Sequence, residues 1–151
     1  MSEMLGNRYF LSRKFDKAIP ELETALHDTA DDAKIRKKLI ICYIQVGQID
    51  KALPLFMELL FQNPMIIIDT DPYHDDCPCP TLVEHWEDII RYKEEPVGTE
   101  LIALGMLYLY CDIHKSIAYF KNALAKMENN TSLQQICNRL IEVRDKVIHP
   151  S

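Results

Sequence analysis

The densest set of reactive side chains lies between residues 69 and 85. His74, Cys77, Cys79 and His85 supply imidazole and thiolate donors, the types that hold zinc. Their spacing argues the other way. Cys77 and Cys79 stand one residue apart around Pro78 rather than as a Cys-x2-Cys knuckle, and no second cysteine pair is near. Asp69, Asp71, Asp75 and Asp76 suit a hard cation, but the glycine and closing glutamate of an EF-hand loop are missing. The alternative is a proline-stiffened acidic linker whose cysteines tuck against neighbouring helices. We therefore assign no metal and no cofactor, and keep His74, Cys77, Cys79 and His85 as the residues that would serve a zinc-stabilised scaffold. Catalytic motifs are missing too: the chain has no glycine-rich phosphate loop, no His-Glu-x-x-His and no nucleophile elbow. A Cys–His pair assembled in space is the nucleophilic arrangement that sequence leaves open. The expectation is a protein that is not an enzyme.

Those residues interrupt a repeating frame. Residues 16–20 read Asp-Lys-Ala-Ile-Pro and residues 50–54 read Asp-Lys-Ala-Leu-Pro, an offset of 34. The echo extends outward, pairing Leu5 with Leu39, Tyr9 with Tyr43, Leu22 with Phe56 and Leu26 with Leu60. A period of that size is the mark of stacked helical hairpins, each unable to bury its apolar face alone. Helical spacing predicts helices over about 2–12, 16–28, 33–46 and 50–62, the second capped by Asp16 and the third stopped by Gly47. Pro20 is expected near the end of a first turn, where its missing N–H costs least. Asp31 or Asp32 is expected to cap the third helix.

The chain of 151 residues is long enough for one real core. Its net charge of −6 argues against a general nucleic-acid binder. No run approaches the roughly 20 apolar residues of a membrane span. The first residues lack the pattern of a signal peptide, so the five cysteines are expected to be reduced thiols in a cytoplasmic protein.

These residues resemble the tetratricopeptide repeat family, whose unit carries Leu-Gly, Tyr, an aromatic, small residues at the helix crossing and a closing Pro. The first unit matches at Leu5-Gly6, Tyr9, Phe15, Ala18 and Ala25, and the second at Leu39, Tyr43, Gly47, Ala52, Phe56 and Pro64. A later one matches at Leu104-Gly105, Tyr108, Phe120 and Ala123. The second unit departs at Ile40 and Leu59, which replace small residues. The later one has Ser116 at the first small position and a Tyr-to-Phe spacing of twelve instead of thirteen, which implies a shorter hairpin turn. The resemblance implies an all-α fold of antiparallel hairpins in a right-handed superhelix. We expect a single domain: repeat 1 over about 1–31, repeat 2 over about 32–65, an irregular loop and degenerate half-repeat over 66–96, repeat 3 over about 97–128, and a capping helix over 132–148. In the half-repeat, Thr81 to Glu84 reads as a capping box, and Trp86 stands where Phe56 stands. Asn129 and Asn130 read as a helix stop and cap.

The family's business is binding, with first helices lining a concave groove. Aligned on that pattern, the groove is offered Asn7, Phe10, Lys34, Lys37, Lys38, Ile41, Met106 and Tyr110, an apolar trough with one basic ridge. The implied function is a non-catalytic protein–protein interaction module or adaptor, taking a protein or peptide segment with acidic and hydrophobic features. The alternative for the ridge is a solvated face balancing Asp31 and Asp32. The carboxylate clamp with which some family members grip a chaperone tail is not matched. Asn7 is present, but Glu3, Lys38, Thr99 and Ala103 occupy its other places. Another reading is a self-assembling subunit that pairs through its N-terminal edge. No nucleic acid and no membrane insertion are expected.

Overall fold

The computed structural model describes residues 2–28, 33–70, 79–94 and 97–148, the backbone alone at 79–80 and 147–148. All regular structure among them is helical. The order is α1 (Ser2–Leu11), α2 (Phe15–Asp28), α3 (Ala33–Gln45), α4 (Ile49–Gln62), the single turn α5 (Met65–Ile68), α6 (Cys79–Arg91), α7 (Gly98–Tyr108), α8 (Ile113–Lys126) and α9 (Thr131–Ile148). The chain divides into two compact units, Met1–Leu59 and Leu60–Ser151, with the division inside α4.

In the first unit α1 packs on α2, and α2 on α3. Glycine makes the first pairing close: a Cβ on Gly6 would stand 2.8 Å from Leu22 Cδ2. Ala18 and Leu22 are sealed beneath this crossing. Ile40 and Leu59, the bulky departures from the repeat pattern, are both buried as well. Two helix ends share one hydrogen-bond pattern. Gly47 N–H donates to Ile44 O at 3.1 Å and Gln48 N–H to Tyr43 O at 2.8 Å, with Gly47 at φ +83°. Thirty-four residues earlier, Arg13 N–H donates to Phe10 O at 3.0 Å and Lys14 N–H to Tyr9 O at 2.9 Å, with Arg13 at φ +61°. This is the left-handed cap that glycine adopts without strain and other residues adopt at a cost. Arg13→Gly is therefore expected to raise stability by about 1 kcal/mol and Gly47→Ala to lower it by a similar amount, read as opposite shifts in a urea midpoint.

Three expectations about helix starts need correction. Helix α2 begins at Phe15, so Asp16 lies inside its first turn, where a carboxylate favours the helix dipole without capping. Pro20 and Pro54 then fall in the second turns of α2 and α4. Each ring is exposed, on the solvent side of its helix, while Ala18 and Leu22, or Ala52 and Phe56, bury the other side. Similarly, α6 starts at Cys79, which puts Thr81 and Glu84 within the helix and removes the capping box. Asp31 and Asp32, read as caps for α3, lie outside the described residues.

In the second unit α7 packs against both α6 and α8, and α8 against α9. Residues Glu100 to Tyr108 are all buried, so α7 is enclosed all round. Its near-uniform apolar sequence is what such a position requires. A Cβ on Gly105 would meet the Phe120 ring at 2.8 Å, the counterpart of Gly6 on Leu22. The spacing that is one residue shorter is not taken from the connection. Helix α7 stops at Tyr108 itself, whereas α3 runs two residues past Tyr43. Asp112 caps α8 by accepting from His114 N–H at 3.0 Å and Lys115 N–H at 3.3 Å. Asn129, at φ +64°, ends the preceding segment, and Asn130 Oδ1 accepts from Leu133 N–H at 3.0 Å, so the two asparagines act as stop and cap. Leu133, Ile136, Cys137, Leu140 and Val143 form the buried side of α9. Arg139 reaches from α9 to Leu60 O at 3.2 Å, placing a cation on the C-terminal carbonyls of α4.

Glu100 ties the entry to α7 together. Its carboxylate accepts from Val97 N–H at 3.0 Å and pairs with Lys93 Nζ at 2.5 Å. Burial pushes the carboxyl up, but the Lys93 and Val97 bonds prevail and hold it below its ordinary value. A lowered carboxyl stabilises the fold above its unfolded pKa, about 4.3, and loses that contribution as pH falls through the folded value. Glu100→Gln is expected to cost about 1 kcal/mol at neutral pH and to flatten the acid limb of a melting-temperature profile below about pH 4.

Candidate functional site

Helix α1 carries Met4, Asn7 and Leu11 on one stripe, spaced by three and four residues. Met4 is 68% and Leu11 54% exposed, so two apolar side chains flank a half-buried amide. Lys38 of α3 donates from Nζ to Asn7 Oδ1 at 2.9 Å and lies 5.7 Å from the centre of the Phe10 ring. Lys34, one turn earlier on α3, is exposed. Asn7 and Lys38 occupy two of the clamp places discussed above and bond to each other.

The remaining groove candidates are placed differently. Phe10, Ile41, Met106 and Tyr110 are buried, and Lys37 is 7% exposed. Phe10 packs edge-on against Phe15, its ring centre 5.9 Å away. Periodicity puts these residues on the first-helix side of each hairpin but does not reveal whether that side is open. Here the apolar members are core side chains, and the accessible ones are Asn7, Lys34 and Lys38. Of the zinc candidates, His74 and Cys77 lie outside the described residues, as does the side chain of Cys79. His85 is exposed on α6, and no metal-holding group of three or more side chains occurs among the described residues. Burial pushes the Cys42 thiol up to about 12 and raises that of Cys137, so both stay protonated and poorly nucleophilic. Trp86, matched to Phe56 in the sequence, is only half-buried, whereas Phe56 is sealed.

A second constellation appears twice, and spacing alone did not suggest it. In the first unit, Tyr43 O–H donates to Glu23 Oε2 at 2.6 Å, and Lys51 Nζ stands 6.0 Å from the centre of the Tyr43 ring. In the second, Tyr108 O–H donates to Glu87 Oε1, and Lys115 Nζ stands 5.3 Å from the Tyr108 ring centre. The two sets are related by offsets of 64 or 65 residues. Burial and the neighbouring glutamate raise both tyrosine hydroxyls, which stay protonated donors. Helix α6 thus stands to α7 as α2 stands to α3. The signal lies in Glu23 and Glu87, 20 and 21 residues before the two motif tyrosines. A polar residue on a helix surface, however, carries no mark of its partner.

In the first unit this trio borders an open pocket of about 490 Å³. Its lining includes Leu26, His27, Leu39, Asp50, Pro54 and Leu55 beside Glu23, Tyr43 and Lys51. None of the described helices is long and apolar enough to cross a membrane. Compared with known proteins, residues 9–69 match a family model described as tetratricopeptide repeat. No curated protein matches the chain.

Proposed function

Taking as premise that this is a tetratricopeptide repeat protein, by the match over residues 9–69, we propose that it is a non-catalytic interaction module. Its partner is a protein or peptide segment received on the face of α1 and α3. Proteins of this family generally mediate protein–protein interaction. The observation that carries the finer reading is the Lys38–Asn7 bond, set between exposed Met4 and Leu11 with Lys34 nearby. A partner carboxylate would meet the lysines, and apolar side chains on either side of it would cover Met4 and Leu11. The partner is therefore an acidic segment with hydrophobic anchors. The reading applies to the first unit, where the accessible groove residues lie.

The test is selection from a phage-displayed peptide library followed by fluorescence polarisation with the selected peptides. Acidic, leucine-containing sequences should emerge. Lys34→Glu/Lys38→Glu, assayed below the temperature at which its own melting curve begins, should weaken them at least about tenfold, and affinity should fall with added salt. Peptides of no consistent charge, or undiminished binding by the double variant, would remove this face as the site. Exposed Met4 and Leu11 also suit pairing with a second copy. A mass that rises with protein concentration in wild type, but not in Met4→Ser/Leu11→Ser, would favour that second reading.

A further inference from the structure

The two glutamates of the repeated set are served differently. In the second unit Glu87 Oε1 accepts from Tyr108 of α7 and, at 3.4 Å, from Tyr119 of α8. In the first unit Glu23 accepts from Tyr43 at 2.6 Å, but the position equivalent to Tyr119 is Leu55, which has no donor to give. The rim changes with it. Where the second unit has Arg91, His114 and Lys115, the first has His27, Asp50 and Lys51. Glu23, His27, Asp50, Lys51 and Leu55 all line the open pocket of about 490 Å³, and Glu23 and Asp50 are exposed. Leu39 and Tyr43, 1% and 5% exposed, close its floor, so an occupant has to lie across its walls. Those walls are half-buried Leu26 and Leu55 and exposed Pro54.

We propose that the pocket between α2, α3 and α4 receives an arginine side chain of a partner protein, its aliphatic stem laid across Leu26, Pro54 and Leu55 and its guanidinium donating to Glu23 beside Asp50. The volume falls within the usual range for binding sites. An arginine matches both parts of the lining, because its stem covers apolar surface while its head stays at the polar rim. The Glu23 carboxylate has lone pairs beyond the one used by Tyr43, and the guanidinium supplies the second donor that Tyr119 brings to Glu87. Two carboxylates stand at the rim against one ammonium, Lys51, whose Nζ lies 6.0 Å from the centre of the Tyr43 ring. That balance favours a cation and opposes an acidic or phosphorylated side chain. Arginine suits it better than lysine, being planar, less strongly hydrated and able to bridge two carboxylates. At about 100° per residue, Leu39 and Tyr43 fall on the opposite side of α3 from Lys34, Lys37, Lys38 and Ile41. This site is therefore separate from the α1–α3 face and stands or falls without it.

The experiment is an amide chemical-shift titration of the full chain with N-acetyl-argininamide. Saturable shifts are expected among residues 23–27, 39–43 and 50–55, with a dissociation constant on the order of 10 mM for so small a probe. N-acetyl-citrullinamide, of the same shape but uncharged, should bind at least about threefold more weakly, and added salt should weaken the arginine probe. Glu23→Gln keeps an acceptor for Tyr43 but loses the charge. Assayed below the onset of its own melting, it should weaken binding several-fold. Leu55→Tyr, which restores the arrangement of the second unit, should abolish the shifts. The proposal is overturned if no shifts appear, if citrullinamide or N-acetyl-leucinamide binds as well as argininamide, or if the shifts persist unchanged in Leu55→Tyr and Glu23→Gln. It is overturned in favour of a second copy if the pocket resonances move with protein concentration alone.

Discussion

Phe120→Ala is expected to lower stability by about 3–5 kcal/mol, the largest loss from any single substitution in the second unit. Phe120 is fully buried, and its ring lies directly against the backbone of Gly105. Removing it strips contacts from α7, the helix enclosed by both its neighbours, and Gly105 has no side chain to reach into the space left behind. The measurement is a urea titration followed by tryptophan fluorescence, with Trp86 on α6 as reporter. The pairing also has a reciprocal signature. Gly105→Ala alone should cost about 1–3 kcal/mol by overpacking against the ring. The same substitution made in Phe120→Ala should cost much less, because the atom it collides with is gone. Additive losses would mean that the glycine serves the helix and not the crossing.

Ser116→Ala is expected to cost about 1–3 kcal/mol, although alanine occupies the equivalent positions, 18 and 52, in the first two units. The fully buried Ser116 hydroxyl donates to Gly105 O at 2.6 Å. Because α7 stops at Tyr108, the next amide, Leu109 N–H, turns to Met106 O at 3.3 Å instead of to Gly105. The hydroxyl stands in for that backbone donor, and its removal leaves a buried carbonyl short of a partner. Ala18→Ser and Ala52→Ser, introduced where the repeat has alanine, are expected to bring no matching gain. Equal stability of Ser116→Ala and wild type across a urea curve would show that water or a shifted backbone takes over the bond.

The consequences of the shorter Tyr-to-Phe spacing are thus legible only in part from the chain. The one-residue difference between Tyr43–Phe56 and Tyr108–Phe120 is visible in the sequence. Its absorption by an earlier helix end, and the repair by Ser116, are not, because spacing does not record where a helix chooses to stop. Helix starts escape the sequence for the same reason. Asp16 and Thr81 are good caps by type, but the preceding residues also fit the helical path, and burial of the following apolar stripe decides how far back the helix winds.

What the sequence determined by itself was the kind of structure and its repeating frame. The 34-residue echo, the Leu-Gly, Tyr and small-residue positions, Gly47 and the Asn129–Asn130 pair all act locally or along one helix face, and local chemistry is written in order along the chain. The tertiary structure decided which faces are open. Phe10, Ile41, Met106 and Tyr110 share the periodicity of surface-lining residues but are enclosed, whereas Met4 and Leu11 are exposed. It also decided which polar groups meet, joining Lys38 to Asn7 and Glu23 to Tyr43 across 31 and 20 residues. Burial and pairing are properties of two surfaces at once, and a helix's own sequence states only one of them.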